Sequence, residues 1–145
     1  MYTKLLWATD GSSDAELALT EALRLLEPGG RLIAFHCDQR FVGGRVGGEP
    51  VVADETDRRS KIRDRVAELA ASGIDAELIV ETTHHSAAHE IAKAADELAV
   101  ELIVCGTRGL GGLQGALLGS VARELLHHAH VPVLVVPPKI AVAAG

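Results

Sequence analysis

The sequence predicts an α/β fold: an open, doubly wound, five-stranded parallel sheet with helices on both faces. Three observations carry this. Five short apolar runs alternate with stretches of helical periodicity along the chain. Several of the runs are apolar at consecutive positions, as in strands buried on both faces. The links are short, which suits parallel strands joined by right-handed crossover helices.

The first run is Leu5-Leu6-Trp7-Ala8. A stripe of Leu17, Leu19, Ala22, Leu23 and Leu26 comes next, with Ser13 or Asp14 placed to open that helix and Gly29-Gly30 after its end. The second run is Leu32-Ile33-Ala34-Phe35. Asp38 to about Ala53 then breaks the pattern with Gly43, Gly44, Gly47 and Gly48. This segment leaves the carboxyl end of a strand, and two readings are open for it: a lid over a site, or a disordered insertion. Ile62, Val66, Leu69 and Ala70 form the next helical stripe, before the third run Ala76-Glu77-Leu78-Ile79-Val80. Ile91, Ala94, Ala95 and Leu98 precede the fourth run, Leu102-Ile103-Val104-Cys105. Val121, Leu125 and Leu126 precede the fifth, Val133-Leu134-Val135-Val136, which Pro132 opens and Pro137-Pro138 close. The tail 140–145 is expected to fray.

Composition narrows the function. With 145 residues, 48% hydrophobic and 23% charged, the chain reads as one globular domain over 1–145 that needs no disulfide staple. Aromatics are only 3%, so the core must be aliphatic. A net charge of −6 argues against nucleic-acid backbones as partners, because those need a basic face. The first eight residues lack a signal-peptide pattern, and no apolar run approaches the ~20 residues that span a bilayer. No membrane partner and a cytoplasmic location are therefore the expectation.

In an open α/β sheet, ligands sit at the carboxyl ends of strands where the winding reverses. The first strand ends in Ala8-Thr9-Asp10-Gly11-Ser12. The fourth ends in Gly106-Thr107-Arg108-Gly109, followed by Leu110–Leu118 and then Gly119-Ser120-Val121 opening the last helix. Glycines let backbone approach a phosphate closely, and helix N-terminal amides are unpaired donors with positive dipole character. In a chain with 15 glycines among 145 residues, this spacing arises by chance in roughly 1% of cases. It is neither the dinucleotide fingerprint, since Gln114 stands at the sixth position, nor a Walker loop.

This pattern resembles the universal stress proteins in their ATP-binding branch, whose motif is Gly, two residues, Gly, nine residues, Gly, Ser/Thr. Here it reads Gly106, Gly109, Gly119, Ser120, and the likeness runs from Leu5 to Pro137. The resemblance implies a Rossmann-like fold with strand order 3-2-1-4-5, and ATP or another adenine nucleotide (AMP, ADP or cyclic AMP) as ligand, with Mg2+. It implies that Asp10 holds the adenine and ribose side, next to Thr9. Ala8, Cys37 and Cys105 fall at positions lining the adenine pocket. Gly106, Arg108 and Gly109 would border ribose and phosphates. Gly119, Ser120 and Val121 would bind phosphates through backbone amides, and the cation would be held by the phosphates with Ser120 as a candidate ligand. Leu110–Leu118 carries no Lys or Arg, so phosphate binding leans on amides, Mg2+ and Arg40 or Arg45. The family also implies a homodimer through the edge strand Val133–Val136, an uncovered apolar edge that invites pairing.

Other constellations are weaker. His85 and His89 are four apart, but no acidic or thiol partner lies at ligand spacing, so a solvated helix start is the expectation. His127, His128 and His130 suit the dipole at the end of the last helix. In the implied strand order the first strand separates Cys37 from Cys105 by two strand spacings, about 9–10 Å. That exceeds the roughly 7 Å limit for a disulfide, so two free thiols are expected. No catalytic residue is assigned. The leading function is a nucleotide-binding stress-response sensor or regulator. The alternatives are a slow ATP hydrolase or self-phosphorylating protein with Ser120 as acceptor, and a nucleotide-free dimeric scaffold.

Overall fold

The computed structural model describes residues 1–39, 51–107 and 118–138. The elements are β1 (Tyr2–Ala8), α1 (Ser13–Leu25), β2 (Leu26–Gln39), α2 (Val51–Ala71), β3 (Asp75–Thr83), α3 (Ala87–Glu97), β4 (Leu102–Gly106), α4 (Ser120–His128) and β5 (Val133–Val136). They form one five-stranded sheet in the order β3-β2-β1-β4-β5. Every neighbouring pair is parallel, so the expected topology holds.

The two-residue alternation of the strands divides the core. Leu5 and Trp7 of β1, with Leu32 and Ala34 of β2, pack against Ala15, Ala18, Leu19 and Ala22 of α1 and Ile62, Val66 and Leu69 of α2. Leu6 and Ala8, with Ile33 and Phe35, pack against Ala88, Ile91 and Ala95 of α3 and Ala122 and Leu125 of α4. Helices therefore cover both faces. Trp7, the single tryptophan, is buried, and its indole N–H donates to the Ala15 carbonyl at 2.8 Å. That bond ties the central strand to α1. At the opposite end of the strand, the Glu101 carboxylate accepts from the Thr3 hydroxyl, the Thr3 N–H at 2.7 Å and the Lys4 N–H at 3.0 Å. These donors, the Thr3 hydroxyl foremost, hold its carboxyl below the ordinary pKa.

Several boundaries depart from the sequence-based expectation. Ser12, not Ser13 or Asp14, caps α1: its hydroxyl accepts from the Ala15 N–H. Gly29 and Gly30 do not cap that helix, which ends four residues earlier. They lie in an irregular start to β2, where the pairing with β1 shifts from Tyr2–Leu26 to Lys4–Arg31. Asp38 and Gln39 are not loop, because the β2–β3 ladder continues through Asp38–Thr82 and Gln39–Thr83. Likewise α2 has begun by Val51. The remainder of the glycine-rich segment, 40–50, and the tail lie outside the described residues. Ala70 and Leu126 are exposed rather than core, each one position out of phase with its buried neighbour, Leu69 or Leu125. No described helix is long and apolar enough to cross a membrane.

Two helices end in the same six-residue closure, with different residues at its left-handed position. After α2, the Ile74 N–H bonds the Leu69 carbonyl and the Gly73 N–H the Ala70 carbonyl, with Gly73 at φ +99°. After α3, the Val100 N–H bonds the Ala95 carbonyl and the Ala99 N–H the Asp96 carbonyl, with Ala99 at φ 53°. This is the Schellman arrangement, whose left-handed residue is usually glycine because a Cβ there is strained. Ala99→Gly is therefore expected to stabilise the protein by about 0.5–1 kcal/mol, and Gly73→Ala to destabilise it by about 1 kcal/mol. Urea unfolding midpoints check both; an unchanged or lowered midpoint for Ala99→Gly would show that its backbone carries no strain.

Candidate functional site

The carboxyl ends of β1, β2 and β4 lie side by side, since β1 pairs with β2 on one edge and β4 on the other. Alternation sends Ala8, Cys37 and Cys105 to the face covered by α3 and α4, where Ala8 and Cys105 are buried in one apolar cluster and Cys37 packs against it. Three of the expected adenine-lining positions are thus brought together by register alone. Both thiols are free. Burial pushes the Cys37 thiol up to about 12, with Glu90, Asp38, Glu81 and Glu55 adding to the rise, and burial pushes Cys105 up to about 11.

The turn from β1 into α1 is held by its own polar side chains. The Thr9 N–H donates to the Phe35 carbonyl at 2.9 Å, and the Thr9 hydroxyl oxygen accepts from the Gly11 N–H at 3.1 Å. The Asp10 Oδ1 accepts from the Ser12 N–H at 2.9 Å. Asp10 is half-buried at this turn, on the strand end between β2 and β4.

Gly106 ends β4. A Cβ built on it would lie 3.0 Å from the Asp14 main chain and Cβ, tighter than most Cβ contacts. This glycine thus suits the close approach of β4 to the first turn of α1, a packing role the motif did not reveal. The next residue, Thr107, carries no signal in the sequence that marks it as part of the site. Its side chain is buried, and its hydroxyl has no hydrogen-bond partner among the described residues. Its carbonyl accepts from the Gly119 N–H, which ties the end of β4 to the start of α4. Arg108 and Gly109 lie outside the described residues, as do Arg40 and Arg45.

That bond changes the expected role of Gly119. It is the cap residue of α4 at φ −70°, and its amide points to Thr107. The first-turn amides of Ser120 and Val121 are the ones that helix geometry leaves without an intrahelical acceptor. Ser120 is exposed, and Val121 is half-buried against the α3–α4 face. The starts of α1, α3 and α4 differ in chemistry. At α1 the Ser12 hydroxyl caps, and Asp14 and Glu16 occupy the first turn. At α3 the Ser86 hydroxyl caps, with Glu90 in the first turn. At α4 there is no side-chain cap and no acidic residue. Its positive end is left unanswered by its own cap and first-turn side chains.

Other polar groups lie apart from these strand ends. The His85 and His89 rings are 6.2 Å apart, but His85 precedes the helix, and among the described residues no group of three His, Cys, Asp or Glu could hold a metal. His130 Nδ1 lies 2.8 Å from Asp96 Oδ2 on the surface. A cavity of ≈ 300 Å³ opens on the other face, between α1 and α2, lined by Thr9, Glu16, Lys61, Asp64, Arg65 and Glu68 among others. Arg65 is paired there with Glu16 and Glu68, and the cavity does not include the three apolar strand-end residues. The sheet edges differ too: β3 carries Asp75, Glu77 and Glu81, whereas β5 is wholly aliphatic and half-buried.

The model of the universal stress protein family matches residues 1–137. Among the similar proteins, universal stress protein YxiE of Bacillus subtilis is 34% identical over 94% of this chain and 99% of its own. Universal stress protein MJ0577 of Methanocaldococcus jannaschii is 29% identical over 96% of this chain and 97% of its own. The solved structure of MJ0577 superimposes with a TM-score of 0.73 at 27% identity, covering 97% of this chain and 99% of that one. A universal stress protein in complex with cAMP shares the fold at a TM-score of 0.68 and 24% identity, over 93% of this chain and 97% of that one. The Archaeoglobus fulgidus protein in complex with dAMP shares it at 0.62 and 23%, over the same shares.

The thiol environment makes a direct prediction. A group titrating near 12 is thiolate to only about one part in ten thousand at pH 8, and the thiolate is the reactive form. Iodoacetamide at pH 8 should therefore modify the native protein far more slowly than the urea-unfolded chain. Equal rates would show that burial at the strand ends does not hold the thiols protonated.

Proposed function

The chain belongs to the universal stress protein family, and from that premise we propose that it is an adenine-nucleotide-binding regulator, acting in the cytoplasm as a homodimer. The observation that carries this reading is the pairing of two unlike surfaces at adjoining strand ends. One is the apolar set Ala8, Cys37 and Cys105. The other is the start of α4, which has neither side-chain cap nor carboxylate. Such a pairing suits a ligand with a flat apolar ring at one end and an anion at the other. That fold neighbours carry cAMP and dAMP supports the same ligand class.

In this reading Ala8, Cys37 and Cys105 face the base, and Asp10 and Thr9 border the ribose. Gly106, Arg108 and Gly109 flank the phosphates, Gly119 fixes the start of α4, and the Ser120 and Val121 amides donate to phosphate oxygens. Bound Mg2+ would neutralise phosphate charge, with the Ser120 hydroxyl as the protein ligand. The neutral thiols suit a pocket for an uncharged base. Because the stretch Leu110–Leu118 lacks cations, affinity rests on amides and helix dipole, and ATP, ADP, AMP and cyclic AMP should differ little in their anchoring at α4.

Calorimetry with ATP and Mg2+ tests the ligand. Binding is expected in the micromolar range, and no heat up to millimolar nucleotide would overturn the reading. Ser120→Pro isolates the amide. Proline is tolerated at the first helical position, and Gly119 at φ −70° and ψ 166° already has the backbone that precedes proline. Loss of one donor to a charged phosphate costs about 1.5–3 kcal/mol, so affinity should fall roughly ten- to a hundredfold. The dimer is tested separately. The edge of β5, charge-free and unpaired among the described residues, predicts a dimer in sedimentation at micromolar concentration, and a monomer there would remove the edge-pairing proposal.

A further inference from the structure

On the other face of the same strand ends lies a buried polar network. The His36 side chain is only 2% exposed. Its Nδ1 lies 2.9 Å from the Thr9 carbonyl oxygen, and its Nε2 lies 2.7 Å from Glu55 Oε1. A carbonyl oxygen can only accept, so Nδ1 carries a proton. At 2.7 Å from a carboxyl oxygen, Nε2 cannot stand as a bare lone pair facing a carboxylate; a proton lies between them. Two further contacts locate it. Glu55 Oε2 accepts from Arg58 Nη1 at 3.1 Å, and Glu55 Oε1 accepts from Arg59 Nε at 3.3 Å. Two guanidinium groups favour the ionised carboxylate, which puts the shared proton on the ring.

We propose that His36 is an imidazolium at neutral pH and that, with Glu55, it forms a proton-dependent latch fastening α2 to the end of β1, so that loss of one proton loosens the wall of the nucleotide site. Among the described residues, the charged groups around the ring are Glu55, Arg58 and Arg59 from α2 and Asp38 from β2, which takes Arg59 Nη2 at 2.8 Å. Thr82 of β3 meets Arg59, and β1 contributes the Thr9 carbonyl, next to Asp10. Glu81 and Glu90 act on the neighbouring Cys37. With His36 charged, three cations face two carboxylates among the described residues. Removal of the Nε2 proton sets a lone pair against Glu55 and breaks the bond. The ring holds the carbonyl of Thr9, flanked by Ala8 and Asp10, so the latch and the site share one strip of backbone. This coupling to the ligand rests on the proposed nucleotide site; the charge state of the ring does not.

Imidazole proton–nitrogen correlation spectra of the nitrogen-15-labelled protein test the charge, with the His36 signals assigned by their loss in His36→Gln. At pH 7.5 an exposed imidazole is mostly neutral. Wild-type His36 should there show protons on both nitrogens, and in Glu55→Gln it should become the neutral Nδ1–H form, because the Thr9 carbonyl retains that proton. A neutral wild-type ring at pH 7.5, in either tautomer, would overturn the latch. Calorimetry with ADP from pH 7 to pH 9 tests the coupling. Wild-type affinity should fall by roughly three- to tenfold, and the Glu55→Gln profile should be flat. Parallel profiles would refute the coupling. If wild type binds no adenine nucleotide at any pH, the nucleotide reading fails, while the spectra still decide the latch.

Discussion

The constraint on which the structure depends is that its central strand is buried on both faces. β1 has β2 on one edge and β4 on the other, and every residue from Leu5 to Ala8 is 9% exposed or less. Such a strand must give successive side chains to opposite cores. Trp7 goes to α1, where its indole N–H finds the Ala15 carbonyl, and Ala8 goes to the α3–α4 side. The same alternation organises the strand ends. Continued along β1, β2 and β4, it puts the apolar strand-end residues on one side of the sheet and the His36 network on the other, with the backbone of Thr9 and Asp10 shared between them.

Electrostatics at the helix starts then separates structural ends from the candidate binding end. α1 and α3 satisfy their first-turn donors with Ser12 and Ser86 and place carboxylates near the positive dipole. α4 does neither. A helix start without a cap is less stable than one with it, by about 1 kcal/mol. The cost is offset when an external anion accepts those bonds. Gly106 and Gly119 contribute to this geometry through packing and a main-chain bond rather than through open access: one lets β4 approach Asp14, and the other locks to Thr107.

The two sheet edges show a similar division. β3 is lined with carboxylates, and Arg31 answers two of them, Asp75 and Glu77. Charge on an edge strand discourages pairing with another chain. β5 carries only Val and Leu, so nothing in its own side chains opposes a partner strand.

Much of this was legible in the residues. The five apolar runs mark the five strands, and the helical stripes at Ile62, Val66 and Leu69 and at Ile91 and Ala95 mark buried faces, because burial on both sides of a sheet leaves little freedom in residue type. The spacing from Gly106 to Ser120 pointed to the carboxyl end of β4 and the start of α4. Local sequence did not decide the boundaries. The extension of β2 to Gln39 depends on β3 continuing beside it, and the irregular start at Gly29 depends on register with β1. Neither Ala99 nor Thr107 carries a local signal: one is in a left-handed closure, and the other has a buried hydroxyl without a described partner. Likewise His36 and Glu55 stand 19 positions apart, on elements that the crossover of α2 brings together. Periodicity records which side of a residue must be dry; only the packed sheet decides which polar groups meet there and which proton they share.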